Sequence, residues 1–325
     1  MKVSRREFLR LAASAAALLA ASHIASAQSY PSRTIKIVVP VTPGSPVDAL
    51  GRVLAQHMQV HLGQRVVIDN RPGGGLSIGA KAVATADPDG YTLLLVNNGH
   101  YFGLTPNAGY DPVKAFTPVA TLAEWNHVLV VRPGLTAKTV QELITYAKAN
   151  PGKVTFGFGV SSPPHILGET LKNVSGADIA SVPYRGGAPA ITDLLGGRID
   201  MNFGTAATLL PLIQQGRVRA IAYTGATRNP GLPEVPTMIE GGVPQLGFNP
   251  DVWTAILAPA GTPRAVTESL YAAVNEALRA PELTASFVKL GFDVLIKQQP
   301  DLDSFISSEA QKWPPIVKAA GLMPE

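Results

Sequence analysis

The sequence predicts a two-lobed α/β protein, each lobe built on an open, mostly parallel sheet, and three observations carry that expectation. Short β-rich apolar runs alternate with amphipathic stretches, the rhythm of βαβ units. Two Gly/Pro/Asn-rich passages, 97–118 and 229–250, interrupt the rhythm and divide it. The 325 residues suit two cores, at roughly 100 to 200 residues per domain. A composition of 46% hydrophobic and 15% charged residues excludes disorder and coiled coil. The absence of Cys excludes disulfides, thiolate metal sites and thiol nucleophiles.

Residues 1–27 read as an export signal. Lys2, Arg5, Arg6 and Arg10 form a basic start, 11–19 an apolar stretch, and Ala25-Ser26-Ala27 a small-residue end, so cleavage is expected near Ala27. Ser4-Arg5-Arg6-Glu7-Phe8-Leu9 adds the twin-arginine pattern. The apolar stretch is too short and too rich in Ala and Ser for a membrane anchor. Of the formal charge of +4, only about one positive charge remains once this leader is set aside, which argues against nucleic acid as a partner. The remaining chain is expected to be soluble and periplasmic.

The elements then follow in order. A strand over 34–39 leads to a helix over 47–62, a strand over 65–69, a helix over 77–86 and a strand over 91–96. After the first irregular passage come a strand over 127–131, a helix over 139–150, a strand over 154–157 and a helix over 164–174. The alternation continues with a strand over 179–182, a helix over 188–195, and strands near 199–203 and 218–223. Beyond the second passage lie a strand over 252–257, helices over 263–280 and 281–290, a short strand over 293–296 and a helix over 301–320. The chain is expected to cross between lobes near 125 and return near 250. One lobe is then 28–125 plus 251–325, and the other 126–250.

Four loops repeat one local pattern: strand, short Gly/Ser/Pro turn, helix start. They are Pro43-Gly44-Ser45-Pro46, Pro72-Gly73-Gly74-Gly75, Gly157 to Pro164, and Pro183-Tyr184-Arg185-Gly186-Gly187. Gly permits a tight turn and close approach of a ligand, and helix-terminal N–H groups favour an anion. Loops of this kind lie at the carboxyl ends of strands, where open α/β sheets bind ligands. Read alone, each loop is equally well a capped helix start. Ser45 with Asp48 forms a capping box, Ser162 precedes Pro163 at a first helical position, and Asp48, an anion at a helix start, suits loop shaping better than anion contact.

Enzyme motifs are weak. Gly73-Gly74-Gly75 with Gly79 departs from a dinucleotide fingerprint, and there is no G-x-S-x-G, P-loop or H-E-x-x-H. His165, at a helix start beside Ser161, is the best polar candidate among the histidines. Trp125, Trp253, Tyr101 and Phe102 lie near the expected crossings, where packing of the junction is the simpler role and a ligand floor the other.

Tyr30-Pro31, Val38-Val39-Pro40 through Gly44 to Asp48, Asn70-Arg71-Pro72-Gly73, Pro88-Asp89-Gly90-Tyr91 and Phe116-Thr117-Pro118-Val119 carry a resemblance. So do Pro183-Tyr184-Arg185-Gly186, Asp193-Leu194, Gly196-Gly197, Asp200, Pro233-Glu234-Val235-Pro236-Thr237 and Ala258 to Pro263. Spanning nearly all of the chain after the leader, they make it similar to the Bug family, the periplasmic solute receptors of tripartite tricarboxylate transporters. The resemblance implies a Venus-flytrap periplasmic-binding fold, type II-like, with a ligand cleft between lobes. It also implies a small carboxylated ligand held by main-chain N–H groups and water, inner-membrane permease partners, no cofactor, no catalysis and a monomer. By position, the carboxylate is expected near Gly44, Ser45, Val47 and Asp48 and near Gly73, Gly74, Gly75 and Ser77. The distal group would face Gly159, Ser161, His165, Tyr184 and Gly186, with Asn97 and Asp200 completing the set. Ser45 and Leu76 depart from the family's usual Gly at those positions, which puts the ligand's identity in question more than its class. An exported enzyme acting on an organic acid and a periplasmic sensor remain the alternatives.

Overall fold

The structure is a computed structural model and describes residues 30–102, 108–160, 162–184, 186–247 and 252–322. The export signal of 1–27 lies outside the described residues. Two sheets organise the chain. The first has the order β11-β4-β10-β3-β1-β2 and the second β7-β6-β8-β5-β9. In the first, β1 (Ile35–Val39) pairs in parallel with β2 (Val66–Asn70) and β3 (Thr92–Asn97), while β10 (Val252–Pro259) runs antiparallel between β3 and β4 (Phe116–Trp125). The two-residue β11 (Asp293–Val294) closes the edge. In the second, β6 (Val154–Gly159) pairs in parallel with β7 (Ile179–Tyr184) and β8 (Met201–Thr205), while β5 (His127–Val131) runs antiparallel between β8 and β9 (Arg219–Tyr223). Setting β11 aside, both sheets share one topology: edge, first, third, a reversed strand arriving from the other lobe, and a final strand.

Residue parity explains why both faces of the first sheet are covered. Ile35, Ile37 and Val39 point to one side and Val38 to the other; Leu93 and Leu95 alternate with Leu94 and Val96 in the same way. One face buries Leu50, Leu54 and Met58 of α1 (Pro46–Leu62), Leu270 and Val274 of α7 (Arg264–Arg279) and Phe287 of α8 (Pro281–Leu290). The other face buries Ala80 and Val83 of α2 (Ser77–Ala84) and Leu302 and Ile306 of α9 (Gln299–Ala319). The second sheet is covered likewise, by α3 (Val140–Ala149) and α4 (Pro163–Ser175) on one face and by α5 (Gly187–Leu195) and α6 (Ala206–Gln214) on the other.

Two elements contradict the sequence expectation. The residues before Trp125 form β4, ten residues long, where only an irregular passage and the approach to the crossing were expected. Pro118 hides this strand, because proline cannot donate to a ladder; it is tolerated where the pairing with β10 slips, between Ile256 and Leu257. Helix α6 was likewise missing from the expectation, and Pro211 lies inside it. A third difference concerns the C-terminal helix. Trp313 and Val317 of α9 enter the core of the second sheet together with Phe102, whose ring lies 5.0 Å from Trp313. Pro314 and Pro315 follow directly after Trp313, so α9 serves the first sheet with its beginning and the second with its end.

Topology places the loops. Because β10 is antiparallel to both β3 and β4, β4 runs parallel to β1, β2 and β3, and its end at Trp125 lies at their carboxyl edge. Asn126 alone joins Trp125 to His127, which pairs with Thr205 at the carboxyl end of β8. The return strand begins at Val252, paired with Trp125. The first crossing therefore joins the carboxyl edge of one sheet to that of the other, the return strand enters at the same edge of the first sheet, and the loops of both sheets meet the boundary between lobes.

Candidate functional site

The loop between β1 and α1 is locked by Asp48. Its buried carboxylate accepts from the Gly44 N–H (2.8 Å), Arg52 Nε (3.0 Å) and Asn70 Nδ2 (2.9 Å), and Arg52 also donates to Asn70 Oδ1 (3.0 Å). Burial alone would raise the Asp48 pKa. The hydrogen bonds from Arg52, Gly44 and Asn70 outweigh it and hold the carboxyl below its ordinary range. Ser45 Oγ accepts from the Asp48 N–H at 3.3 Å, and Pro46 has no N–H, so of this helix start Val47 N–H alone lacks an intrahelical or capping acceptor. Asp48 thus ties two loops together from within the protein, and the Gly44 N–H is spent on it.

The loop between β2 and α2 is different. Gly73, Gly74, Gly75 and Leu76 all have positive φ (116°, 56°, 58° and 76°), a left-handed turn that delivers the chain to Ser77. No side chain caps α2, because position 76 is an apolar residue. The N–H groups of its first turn, at Ile78 and Gly79, therefore point out of the helix without an intrahelical acceptor. The partly exposed Ser77 stands between loop and helix. Arg71 beside it is committed to Asp69, with 3.0 Å contacts from Nε and from the second guanidinium nitrogen.

The second sheet repeats this contrast. At the start of α4, Ser162 Oγ bonds back to the Gly159 carbonyl (2.6 Å), Pro163 and Pro164 carry no N–H, and His165 N donates to Ser162 O (3.0 Å). That start is closed. At α5, Gly186 provides no side-chain cap, and the N–H groups of Gly187 and Ala188 in its first turn have no intrahelical acceptor. Gly159 and Gly186 lie side by side: a Cβ on Gly159 would sit 3.3 Å from Gly186 Cα. The open starts of α2 and α5 follow β2 and β7, which are the equivalent edge strands of the two sheets.

The other expected residues divide. His165 stacks on Phe158 (4.0 Å, 8° between planes), and its buried Nδ1 meets no partner. Burial pushes its pKa down, with Glu169 opposing and Lys172 adding to the shift. Tyr184 donates its hydroxyl to Asp193 (2.8 Å), which also holds Arg198 (2.8 Å). Asn97 Oδ1 accepts from Gly99 N (3.0 Å) and shapes the turn after β3. Asp200 lies at the amino end of β8, away from the loops. It accepts from Arg132 Nε (2.6 Å), Thr155 N (2.8 Å) and Thr155 Oγ1 (2.9 Å) and so ties β5 to β6. Ser161 lies outside the described residues. The aromatic residues take the packing role: Tyr101 stacks with Trp253 (5.8 Å), and Trp125 packs on Phe292 (4.7 Å). Sequence reasoning missed the Asp48–Arg52–Asn70 lock, whose signal was the spacing of Asp48 and Arg52 on one helix face, and it missed the left-handed Leu76.

Cavities of about 170 Å³ beside Tyr101 and Phe116 and about 260 Å³ beside Gln141 and Pro244 lie elsewhere and include none of these loop residues. Among the described residues, no three His, Asp or Glu side chains gather as a metal site, and no helix is long and apolar enough to cross a membrane.

Two lobes of one topology, joined at their carboxyl edges with paired loops along the boundary, define the periplasmic-binding-protein class of fold. Within that class, the chain belongs to the tripartite tricarboxylate transporter receptor family, whose model matches residues 50–322. It is similar to protein BugT of Bordetella pertussis, 36% identical over 301 residues that cover 91% of this chain and 92% of that protein. Among solved structures it resembles the periplasmic binding protein BugD, with TM-score 0.80 and 32% identity over 91% of this chain and 100% of the other. It also resembles Rpa4515 of R. palustris with adipate, with TM-score 0.82 and 33% identity over 91% and 100%.

Proposed function

We propose that the protein is a periplasmic receptor that captures a small carboxylated solute between its lobes and delivers it to the membrane permease subunits of a tripartite transporter. The carrying observation is the pair of uncapped helix starts, α2 in one lobe and α5 in the other, opening on the same boundary. Each offers main-chain N–H donors and the positive end of a helix dipole, which suit a carboxylate without an arginine clamp. Main-chain contacts and bridging water are strong enough for this. The structure of Rpa4515 with adipate supports a dicarboxylate as ligand. A ligand that bridges both lobes shifts the open–closed equilibrium by its greater affinity for the closed form.

In this reading the lobes are 28–125 with 251–325 and 126–250, the end of α9 reaching over to pack on the second, and the leader of 1–27 directs twin-arginine export with cleavage near Ala27. The receptor works as a monomer and binds its ligand without transforming it. The contact set we favour is Val47, Gly74, Gly75, Ser77, Gly159, His165 and Gly186 together with the first-turn N–H groups of α2 and α5, with Asp48, Asn97, Tyr184 and Asp200 acting through the framework. Native mass spectrometry of freshly purified protein and a thermal-shift panel of carboxylates test it. A dicarboxylate at about 100 times its Kd stabilises by about 2.7 kcal/mol, a rise of several degrees in melting temperature. Gly187→Pro removes one N–H at a first helical position that accepts proline, and should weaken binding about tenfold with the unliganded fold intact. Unchanged affinity in that variant would refute the α5 contact, and no stabilisation by any carboxylate would refute the function.

A further inference from the structure

Leu76 is the one residue other than glycine with positive φ among the described residues, at 76°. A leucine is strained in this region, which glycine or asparagine enters more easily. Strain of this kind persists only where something else is served. Packing within the chain does not account for it: Leu76 is only partly buried and joins none of the four buried apolar clusters among the described residues. Its neighbour Ile78 is 55% exposed and lies back over the loop, with Cδ1 placed 2.8 Å from where a Cβ on Gly73 would stand. On the other lobe, in the loop after β6, Val160 is 62% exposed and equally outside the clusters. Apolar side chains thus flank the candidate site on both lobes. Meanwhile the two arginines nearest the first-lobe loops are held by Asp48 and Asn70 and by Asp69.

We propose that Leu76, with Ile78 beside it and Val160 across the boundary, selects carboxylic acids whose carboxylate adjoins an apolar body over hydroxylated or tricarboxylic acids. This rests on the receptor reading above. An apolar body gains by leaving water against Leu76, whereas a hydroxyl placed there loses its hydrogen bonds. A third carboxylate meets no side-chain cation from Arg52 or Arg71.

The test compares the wild type with Leu76→Asn, which keeps left-handed geometry and reverses polarity, and Leu76→Gly, which removes both strain and side chain. Calorimetry measures adipate and benzoate, as chain and ring bodies, against malate and citrate. The wild type should prefer an apolar-bodied acid. Both variants should weaken it about tenfold, roughly half the effect of a fully buried leucine, and leave malate within about twofold. Melting temperatures of the unliganded variants confirm that they are folded. An unchanged ratio of apolar to hydroxylated acids overturns the inference alone, as does equal weakening of all four acids, which would make Leu76 a contact between closing lobes. Binding of no carboxylate by the wild type overturns both this inference and the receptor reading.

Discussion

His100 makes the protein acid-sensitive in a window that the structure defines. The ring lies in the turn after β3, 7% exposed, with Nε2 on the Pro112 carbonyl at 3.1 Å and Nδ1 without a partner. Tyr101 and Phe116 meet it edge-on at 4.8 and 5.3 Å, and Tyr110 stacks at 5.8 Å. Burial in this cage pushes the His100 pKa from 6.5 down to about 4, against a partial opposing effect of the Pro112 bond. The unfolded chain therefore binds the proton more readily, and stability falls as pH drops from about 6.5 to 4. At about 1.4 kcal/mol per unit the loss amounts to roughly 3 kcal/mol at pH 4. His100→Phe keeps an aromatic ring and cannot titrate, but loses the Pro112 bond, at about 1 kcal/mol. Urea unfolding at pH 7, 6, 5 and 4 should then show crossing curves, with the variant about 1 kcal/mol less stable at pH 7 and about 2 kcal/mol more stable at pH 4. His165, whose pKa is also lowered, is present in both proteins and cancels in the difference. Parallel curves across the whole range would refute the argument.

Three further outcomes follow from particular contacts. Ser45→Ala should cost about 1 kcal/mol in urea unfolding through loss of the α1 cap, whereas Asp48→Ala should cost more, because it strands Arg52, Asn70 and the Gly44 N–H, and should also weaken ligand binding. Gly168→Ala should destabilise by about 1–3 kcal/mol despite the better helix propensity of alanine. The added Cβ would stand 2.0 Å from the Phe156 ring, and a raised melting temperature would contradict the packing. Glu309→Ala should cost about 2–4 kcal/mol and lower the unfolding midpoint of both lobes together, since Glu309 Oε2 accepts from Trp253 (2.6 Å) and Trp313 (2.8 Å), which belong to the two different cores.

Alternating strands and helices, the Gly-marked loops and the division into two sheets were legible in the sequence because they rest on local effects: side-chain period, glycine freedom and proline at helix starts. Ser45 capping with Asp48 was readable for the same reason. Strand β4 and helix α6 were not, since Pro118 and Pro211 break the local pattern and only pairing and packing with distant segments make them worthwhile. Which loops stay open for a ligand also escaped the sequence. Four similar motifs became one closed helix start, one left with the Val47 N–H alone, and two open ones, and the difference lies in where neighbouring hydrogen bonds end. Gly44 lost its N–H to Asp48, an outcome that depends on Arg52 one turn further along α1 and on Asn70 arriving from another strand. The sequence by itself determined most of the elements and their division into two sheets, through interactions a few residues long. Tertiary structure decided which donors remain, because that depends on contacts between residues that only the fold brings together.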